Sequence, residues 1–249
     1  MDELCSQSFI VPKELIVIFK QGKYRKHQLH KSPLQVLPIG MVTQFPIDYM
    51  HCVCLGVMRK LLRAWVCSSF KCLKPSNVNR ISERLNSLKN EVPKDFCRKP
   101  RDLKELDRWK ATEFRQFLLY TGPVVLQNIL PSENYKNFLK LHIALRILLN
   151  QSTDRSLIGM AGKLLDEFVS QCITLYGNQF LSYNIHALTH LAAEYVYFGS
   201  LDNVSAFPYE SYLYHLKSLL RTPNKPLQQV ARRILEIRNC IIKKFRMCN

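Results

Sequence analysis

From Asp48 to the C terminus, apolar residues recur at intervals of three and four positions in one segment after another. Clear examples are the stripes Val78, Ile81, Leu85, Leu88 and Tyr135, Phe138, Leu141, Leu145, Leu148. This is the period of an amphipathic helix, whereas the alternation of a half-buried strand is nearly absent. The spacing predicts a mainly α fold: an irregular multi-helix bundle with an extended N-terminal arm and at most a remnant of sheet.

Capping residues, glycines and prolines set the expected helix ends. Helices are predicted over 48–67 and about 76–91, from Thr112 to a kink or end at Gly122-Pro123, over 133–149 behind Ser132, from Thr153 or Ser156 to Gly177, near 183–197 before Gly199, over 206–221 behind Ser205, and from Pro226 onward. Residues 92–108, rich in proline and alternating charge, are predicted to form a linker or mobile loop.

Three regions follow from this pattern. Residues 1–45 form an N-terminal arm with a basic extended segment, because Lys20 to Lys31 contains no acid and Pro38-Ile39-Gly40 breaks any periodicity. Residues 46–222 form a helical domain, and residues 223–249 form a basic amphipathic C-terminal helix. With 47% hydrophobic residues in a chain of 249, a packed core is expected.

The charge is strongly unbalanced, with 36 Lys and Arg against 19 Asp and Glu and a net charge of +17. Such an excess favours polyanionic partners, nucleic acid before an anionic membrane surface. The longest apolar runs are far below the roughly 18 residues of a membrane span, so no membrane partner is expected. The chain contains no Walker A, GxGxxG, GxSxG or kinase signature, so the common nucleotide and acyl-transfer chemistries find no support in the sequence.

The nine cysteines follow no zinc-site spacing, since Cys52-x-Cys54 and Cys67-x4-Cys72 are not paired CxxC motifs. No signal-peptide apolar stretch follows the acidic start Met1-Asp2-Glu3. Free, mostly buried thiols in a reducing compartment, the nucleus or the cytoplasm, are therefore expected.

Glu210 is the acid whose helical surroundings suggest chemistry. At 100° per residue, Glu210, Lys217 and Arg221 fall within about 40° of one another, and the opposite arc carries Tyr209, Tyr212, Leu213, Leu216, Leu219 and Leu220. A phosphodiester-processing enzyme needs a hard oxygen ligand for Mg²⁺ flanked by cations that hold the DNA backbone. The alternative is a solvated face with a weak surface ion pair.

The C-terminal segment also combines basic residues with an apolar stripe, and between Lys217 and Arg246 it contains one acid, Glu236. An apolar stripe runs through Leu227, Val230, Ile234, Ile237, Ile241 and Phe245. Opposite the stripe lie Arg232, Lys243 and Arg246, with Arg233 and Lys244 on its flank. The stripe predicts packing against another surface, and the basic face contacts either phosphate or water.

Two other pairs have ligand spacing. Asp48 and His51 share one helix face and could converge on an ion or a water, or Asp48 is a helix cap and His51 a satisfied buried histidine. His186, His190 and Glu194 form a row one turn apart, which permits a metal site. The row lacks the glutamate of the HExxH motif, so a core or interhelical role is favoured.

Several of these residues together resemble CACTA/En-Spm-like transposases of the DDE type. Ser32-Pro33-Leu34 and the stretch from Phe45-Pro46-Ile47-Asp48-Tyr49-Met50-His51 to Val57 look like the region before the insertion domain. Tyr183-Asn184-Ile185-His186 and Phe207-Pro208-Tyr209-Glu210 with Leu216-Lys217 look like the C-terminal block. The resemblance covers about 25 to 245 and rests on the order and spacing of the motifs.

The resemblance implies an RNase H-like catalytic core with three carboxylates around two divalent ions. Asp48 and His51 match the family's Asp-x-x-His motif, and Glu210 matches the final acid. The first two catalytic aspartates would precede Met1, because only Asp2, Glu3 and Glu14 precede Asp48. The expected protein is thus a transposase fragment or transposon-derived protein that does not cleave DNA alone.

Three functions remain open from the sequence. The first is a catalytically incomplete helical protein that binds DNA, or another transposase chain, through a basic face including Lys217, Arg221, Arg232, Arg233, Lys243, Lys244 and Arg246. It would bind no cofactor by itself, and Mg²⁺ or Mn²⁺ only where a partner completes the site. The second is a metal-dependent transposase completed by a partner chain. The third is a helical interaction module without a nucleic-acid role.

Overall fold

The computed structural model describes residues 32–40, 44–66 and 73–247, with side chains as far as Cys240. The mainly α fold is confirmed, since these ranges contain helices and no strand. The α-helices are α1 Arg59–Val66, α2 Pro75–Ser87, α3 Ala111–Gln116, α4 Gly122–Leu126, α5 Ser132–Leu148, α6 Arg155–Tyr176, α7 Tyr183–Ala187, α8 Leu191–Phe198, α9 Phe207–Ser218 and α10 Pro226–Met247. The chain divides into unit 1, Met1–Ser205, and unit 2, Ala206–Asn249.

Of the N-terminal arm, the described residues contain one short 3₁₀-helix, Pro33–Val36, which the Ser32 hydroxyl caps by accepting a bond from the Leu34 N–H. The basic residues between Lys20 and Lys31 lie outside the described ranges.

The helix predicted over 48–67 begins as a π-helix, Met50–Met58, and continues as α1. Six of the nine residues of this π-helix are buried: Met50, Cys52, Val53, Cys54, Val57 and Met58. Gly56 faces Asn184 of α7 so closely that a Cβ at this position would overlap the Asn184 side chain. The absence of a side chain at Gly56 therefore lets α7 approach.

The prediction of a linker or mobile loop over 92–108 is wrong for its second half. Leu103–Arg108 is a 3₁₀-helix whose Leu103 and Leu106 are buried. Arg101 holds it in place, because its Nε and Nη2 donate to the buried Glu113 carboxylate at 2.5 and 2.9 Å. One of the charges that suggested a solvated linker, Arg101, therefore belongs to an internal ion pair.

Gly122-Pro123 was expected to kink or end its helix, yet α3 continues through a π-turn, Phe117–Thr121, into α4. Proline has no N–H for the preceding turn, which would leave the Leu118 carbonyl without its helical donor in the π register. His142 of α5 supplies the missing donor, with Nδ1 2.8 Å from the Leu118 oxygen. A tertiary hydrogen bond from His142 thus replaces the helical bond that proline cannot form.

The core of unit 1 centres on α5 packed against α6. The α5 stripe Phe138, Leu141, Leu145 is fully buried, and α6 buries Ala161, Leu165, Phe168, Cys172 and Tyr176. The Tyr176 hydroxyl accepts from Trp65 Nε1 at 2.9 Å and from Asn134 Nδ2 at 3.1 Å. Helix α6 ends at Gly177 as predicted, because φ there is 77° and favours glycine.

Unit 2 consists of α9 and α10 and the loop between them. Gln229 of α10 holds this loop: its Oε1 accepts from the Arg221 N–H at 3.0 Å, and its Nε2 donates to the Thr222 oxygen at 3.0 Å. No side chain between Ala206 and Cys240 is buried.

Candidate nucleic-acid interface

The basic side chains of unit 2 are open to solvent in its described part. Lys217, Arg221, Lys225, Arg232 and Arg238 are exposed, and Arg233 is partly so. Helix α9 ends at Ser218, three residues before Arg221, so the predicted helical face of Glu210, Lys217 and Arg221 is wrong in its last member. Side chains of Lys243, Lys244 and Arg246 lie outside the description, although their backbone belongs to α10.

One acid interrupts the basic side of α10. Glu236 accepts from Arg232 Nε at 3.1 Å and from Arg233 Nη1 at 2.7 Å. Desolvation would raise the pKa of Glu236, but the hydrogen bonds and charges of Arg233 and Arg232 outweigh it and lower that pKa. Two of the candidate phosphate-binding arginines are therefore partly neutralised within the helix.

The apolar side chains of unit 2 are also exposed. The sequence predicted that the arc opposite Glu210 would be core, yet Tyr209 is 71% exposed and Tyr212 55%. On α10, Leu227 is 81% exposed and Ile237 44%. Periodicity predicted the apolar side correctly, but the described chain does not bury it.

Glu210, the predicted final acid, lies exposed in the first turn of α9. Asp48 and His51 belong to unit 1, and Glu210 belongs to unit 2. Within the described ranges, no three His, Cys, Asp or Glu side chains are grouped so that they could hold a metal ion.

Asp48 caps the start of the π-helix Met50–Met58 with its carboxylate. Its Oδ1 accepts from the Met50 N–H at 3.1 Å and its Oδ2 from the His51 N–H at 3.0 Å. The same Oδ2 contacts His51 Nδ1. The expectation of a buried histidine is wrong, because the His51 side chain is 57% exposed. Asp48 orients the imidazole through Nδ1.

His186 and His190 are exposed, which contradicts a core role. Their Nε2 atoms lie 3.4 Å apart. The third member of the predicted row differs: one Glu194 oxygen is buried without a hydrogen-bond partner, and the backbone N–H of Ile47 donates to the carboxylate. Desolvation raises the pKa of Glu194, and the Ile47 bond offsets only part of this effect.

The prediction of free, buried thiols is confirmed for three cysteines of the described ranges, Cys52, Cys54 and Cys172. Burial raises the pKa of Cys52 to about 11 and those of Cys54 and Cys172 to about 12. The thiolate is the reactive form, so these three are inert near neutral pH. Cys97 and Cys240 are exposed.

Sequence reasoning missed a cavity of about 340 Å³ beside α3. The segment Asp95 to Arg98 forms one wall, and Thr112, Gln116 and Tyr120 belong to the other. Its first wall falls in the segment that was expected to be a linker. Phe96 packs edge-on against Tyr120 with ring centroids 5.0 Å apart, a contact that helical periodicity does not predict.

Comparisons of the chain with protein-family models, with characterised proteins and with solved structures found no match. In the described part of the chain, no helix combines the length and the apolar character needed to cross a bilayer.

Proposed function

We propose that this chain is a transposase-derived, catalytically incomplete protein that binds DNA through the basic side chains of unit 2. The observation that supports this most directly is the exposure of Lys217, Arg221, Arg232 and their neighbours on two helices that bury no side chain between Ala206 and Cys240. Over residues 206–249 the sequence has nine Lys and Arg against two Glu. Such a surface attracts the phosphate backbone whatever the base sequence.

The dimensions of α10 suit a contact along a duplex. Its 22 residues extend over about 33 Å. Arginines on this helix can form bidentate bonds with phosphate oxygens, which gives both energy and orientation. Glu236 competes with phosphate for Arg232 and Arg233, so it is expected to limit the affinity.

Salt-dependent binding tests the proposal. Fluorescence anisotropy of a labelled duplex should report binding that weakens with salt, by about 0.9 decades in affinity per decade of salt for each phosphate contacted. The double variant Lys217→Gln/Arg221→Gln should reduce that slope by up to about 2. The matched double variant Arg155→Gln/Lys163→Gln, which removes one exposed Arg and one exposed Lys from α6, should leave it unchanged.

Glu236→Gln provides a test of opposite sign. It removes a negative charge and frees Arg232 and Arg233, so DNA affinity should rise although α10 itself becomes slightly less stable, which far-UV circular dichroism can follow. Binding that is insensitive to salt, or a Glu236→Gln variant without tighter binding, would favour the helical interaction module instead.

The catalytic part of the proposal has its own experiment. If Glu210 is a vestige, purified chain with Mg²⁺ or Mn²⁺ should not nick supercoiled plasmid. Nicking that disappears in Glu210→Gln and persists in Glu236→Gln would show that the active site is complete and overturn the incomplete-enzyme assignment.

A further inference from the structure

The strongest unassigned cluster of side chains is the pair His186 and His190 in unit 1. Helix α7 ends at Ala187, and a short 3₁₀-helix, Leu188–His190, follows it directly. The four-residue separation places both imidazoles on one side of this segment. Their rings are nearly perpendicular, with an interplanar angle of 86° and centroids 5.1 Å apart, and both side chains are exposed.

The two ring nitrogens have the separation that one zinc ion requires. Zn²⁺ binds imidazole nitrogen at about 2.0–2.1 Å and prefers tetrahedral geometry. An Nε2–Nε2 separation of 3.4 Å then corresponds to an N–Zn–N angle of about 110°. Ligands at 90°, as in square-planar or octahedral complexes, would lie only about 2.9 Å apart at similar bond lengths.

We propose that His186 and His190 are two protein ligands of a tetrahedral Zn²⁺ site on the surface of unit 1, with solvent or an external group in the remaining positions. The exposure of both rings leaves room for those ligands. This site is separate from Glu210 and from the basic residues of unit 2, so it does not depend on the proposed function.

The electrostatic surroundings favour a cation at this position. The Asp166 carboxylate of α6 interacts electrostatically with the His190 ring, which places a negative charge near the pair. The Thr189 hydroxyl donates to the His186 carbonyl at 2.8 Å and stabilises the turn that carries both rings.

The experiment is a Zn²⁺ titration of the full chain in competition with a chromophoric chelator. His186→Asn and His190→Asn should each weaken the proposed site by about tenfold or more, because each removes one of two protein donors. The matched control His215→Asn removes another exposed imidazole and should leave the affinity unchanged. Cysteines or histidines elsewhere that bind zinc contribute equally to all three variants.

Cobalt gives a second, geometric readout. Co²⁺ substituted into a tetrahedral site absorbs visible light much more strongly than octahedral Co²⁺, and the His186→Asn/His190→Asn double variant should lose this absorption while retaining its helix content. Equal Zn²⁺ affinity in all variants, or a Co²⁺ spectrum independent of the pair, would overturn the proposal and assign the 3.4 Å contact to an N–H···N hydrogen bond between neutral rings.

Discussion

Helices α6 and α10 are each 22 residues long and carry apolar stripes with the same helical period. The α6 stripe, Ala161 to Tyr176, is completely or almost completely buried. On the α10 stripe, Leu227 is 81% exposed, Ile234 41% and Ile237 44%. Helix α6 has α5 to pack against, whereas no side chain of α9 or of α10 as far as Cys240 is buried. Periodicity thus identifies an apolar side without telling whether the same chain covers it.

The polar residues of the two units show the same contrast in burial as the apolar stripes. In unit 1 the Tyr176 hydroxyl, the Asn137 amide and the Glu113 carboxylate are buried and hydrogen-bonded to partners far away in the sequence. In unit 2 the bonds of Gln229 and Glu236 are local and exposed. The stability of unit 1 should accordingly depend on its tertiary contacts. The stability of unit 2 should depend on helix propensity, local hydrogen bonds and contacts with a binding partner.

The largest expected difference is in thiol protection, because α6 carries Cys172 and α10 carries Cys240. Cys172 is buried with a pKa of about 12, and Cys240 is exposed. Alkylation of the native protein, followed by mass spectrometry of the peptides, should modify Cys240 at least about a thousandfold faster, since Cys172 must wait for unit 1 to open. In denaturant the two rates should converge. Comparable rates in the native protein would show that α6 is not part of a stable core.

Identical leucine truncations in the two helices should differ next. Leu165→Ala in α6 should lower the free energy of unfolding by about 2–5 kcal/mol, because it leaves a cavity at a fully buried position. Leu227→Ala in α10 should change it by less than about 0.5 kcal/mol. Urea denaturation can follow unit 1 by tryptophan fluorescence, since both tryptophans, Trp65 and Trp109, lie there, and both units by circular dichroism. A large effect of Leu227→Ala would mean that its stripe is covered in solution.

Removal of a hydrogen-bonding centre from each unit should give a smaller contrast. Tyr176→Phe leaves two buried donors, Trp65 Nε1 and Asn134 Nδ2, without their acceptor and should cost about 1–3 kcal/mol. Gln229→Ala exposes its partners to water, so the cost should stay near about 0.5–1 kcal/mol. The same denaturation curves measure both variants, and a cost for Gln229→Ala above that of Tyr176→Phe would contradict the assignment of the stable core to unit 1.

The sequence predicted those parts of the fold that depend on local signals. The helix class, the opening of α10 at Pro226 and the end of α6 at Gly177 are confirmed. Each depends on backbone preferences that act within a few residues: proline fits the first helical turn, and glycine accepts positive φ beyond the last.

What the sequence did not predict depends on contacts between distant residues. The π-helix at Met50–Met58 fits against α3 and α7, and the π-turn before α4 is completed by His142. The 3₁₀-helix Leu103–Arg108 was not predicted, because charged residues surround its two buried leucines in the sequence. For the candidate site, spacing correctly placed His186 beside His190, but the exposure of both rings and the buried oxygen of Glu194 could not be derived from a helical wheel.

The smallest predicted effect compares two glutamates whose pKa values are shifted in opposite directions. The raised pKa of Glu194 means that the folded state prefers the neutral form; that stabilisation is full below the pKa of an unfolded glutamate and is lost as pH rises through the folded pKa. Glu194→Gln should therefore raise the Tm of unit 1 at pH 7, and this advantage should fade in acid. The Gln carbonyl can still accept from the Ile47 N–H.

In unit 2 the sign reverses. The lowered pKa of Glu236 contributes stability above the pKa of an unfolded glutamate, and this contribution is lost as pH falls through the folded value. Glu236→Gln should therefore weaken α10 slightly at pH 7 and have no effect in acid. Thermal melts of both variants at pH 7 and pH 3.5 measure these changes in stability, with Glu83→Gln as an exposed control. Stabilisation by both substitutions at pH 7 would contradict the assignment of a desolvated carboxylate to unit 1 and an arginine-paired one to unit 2.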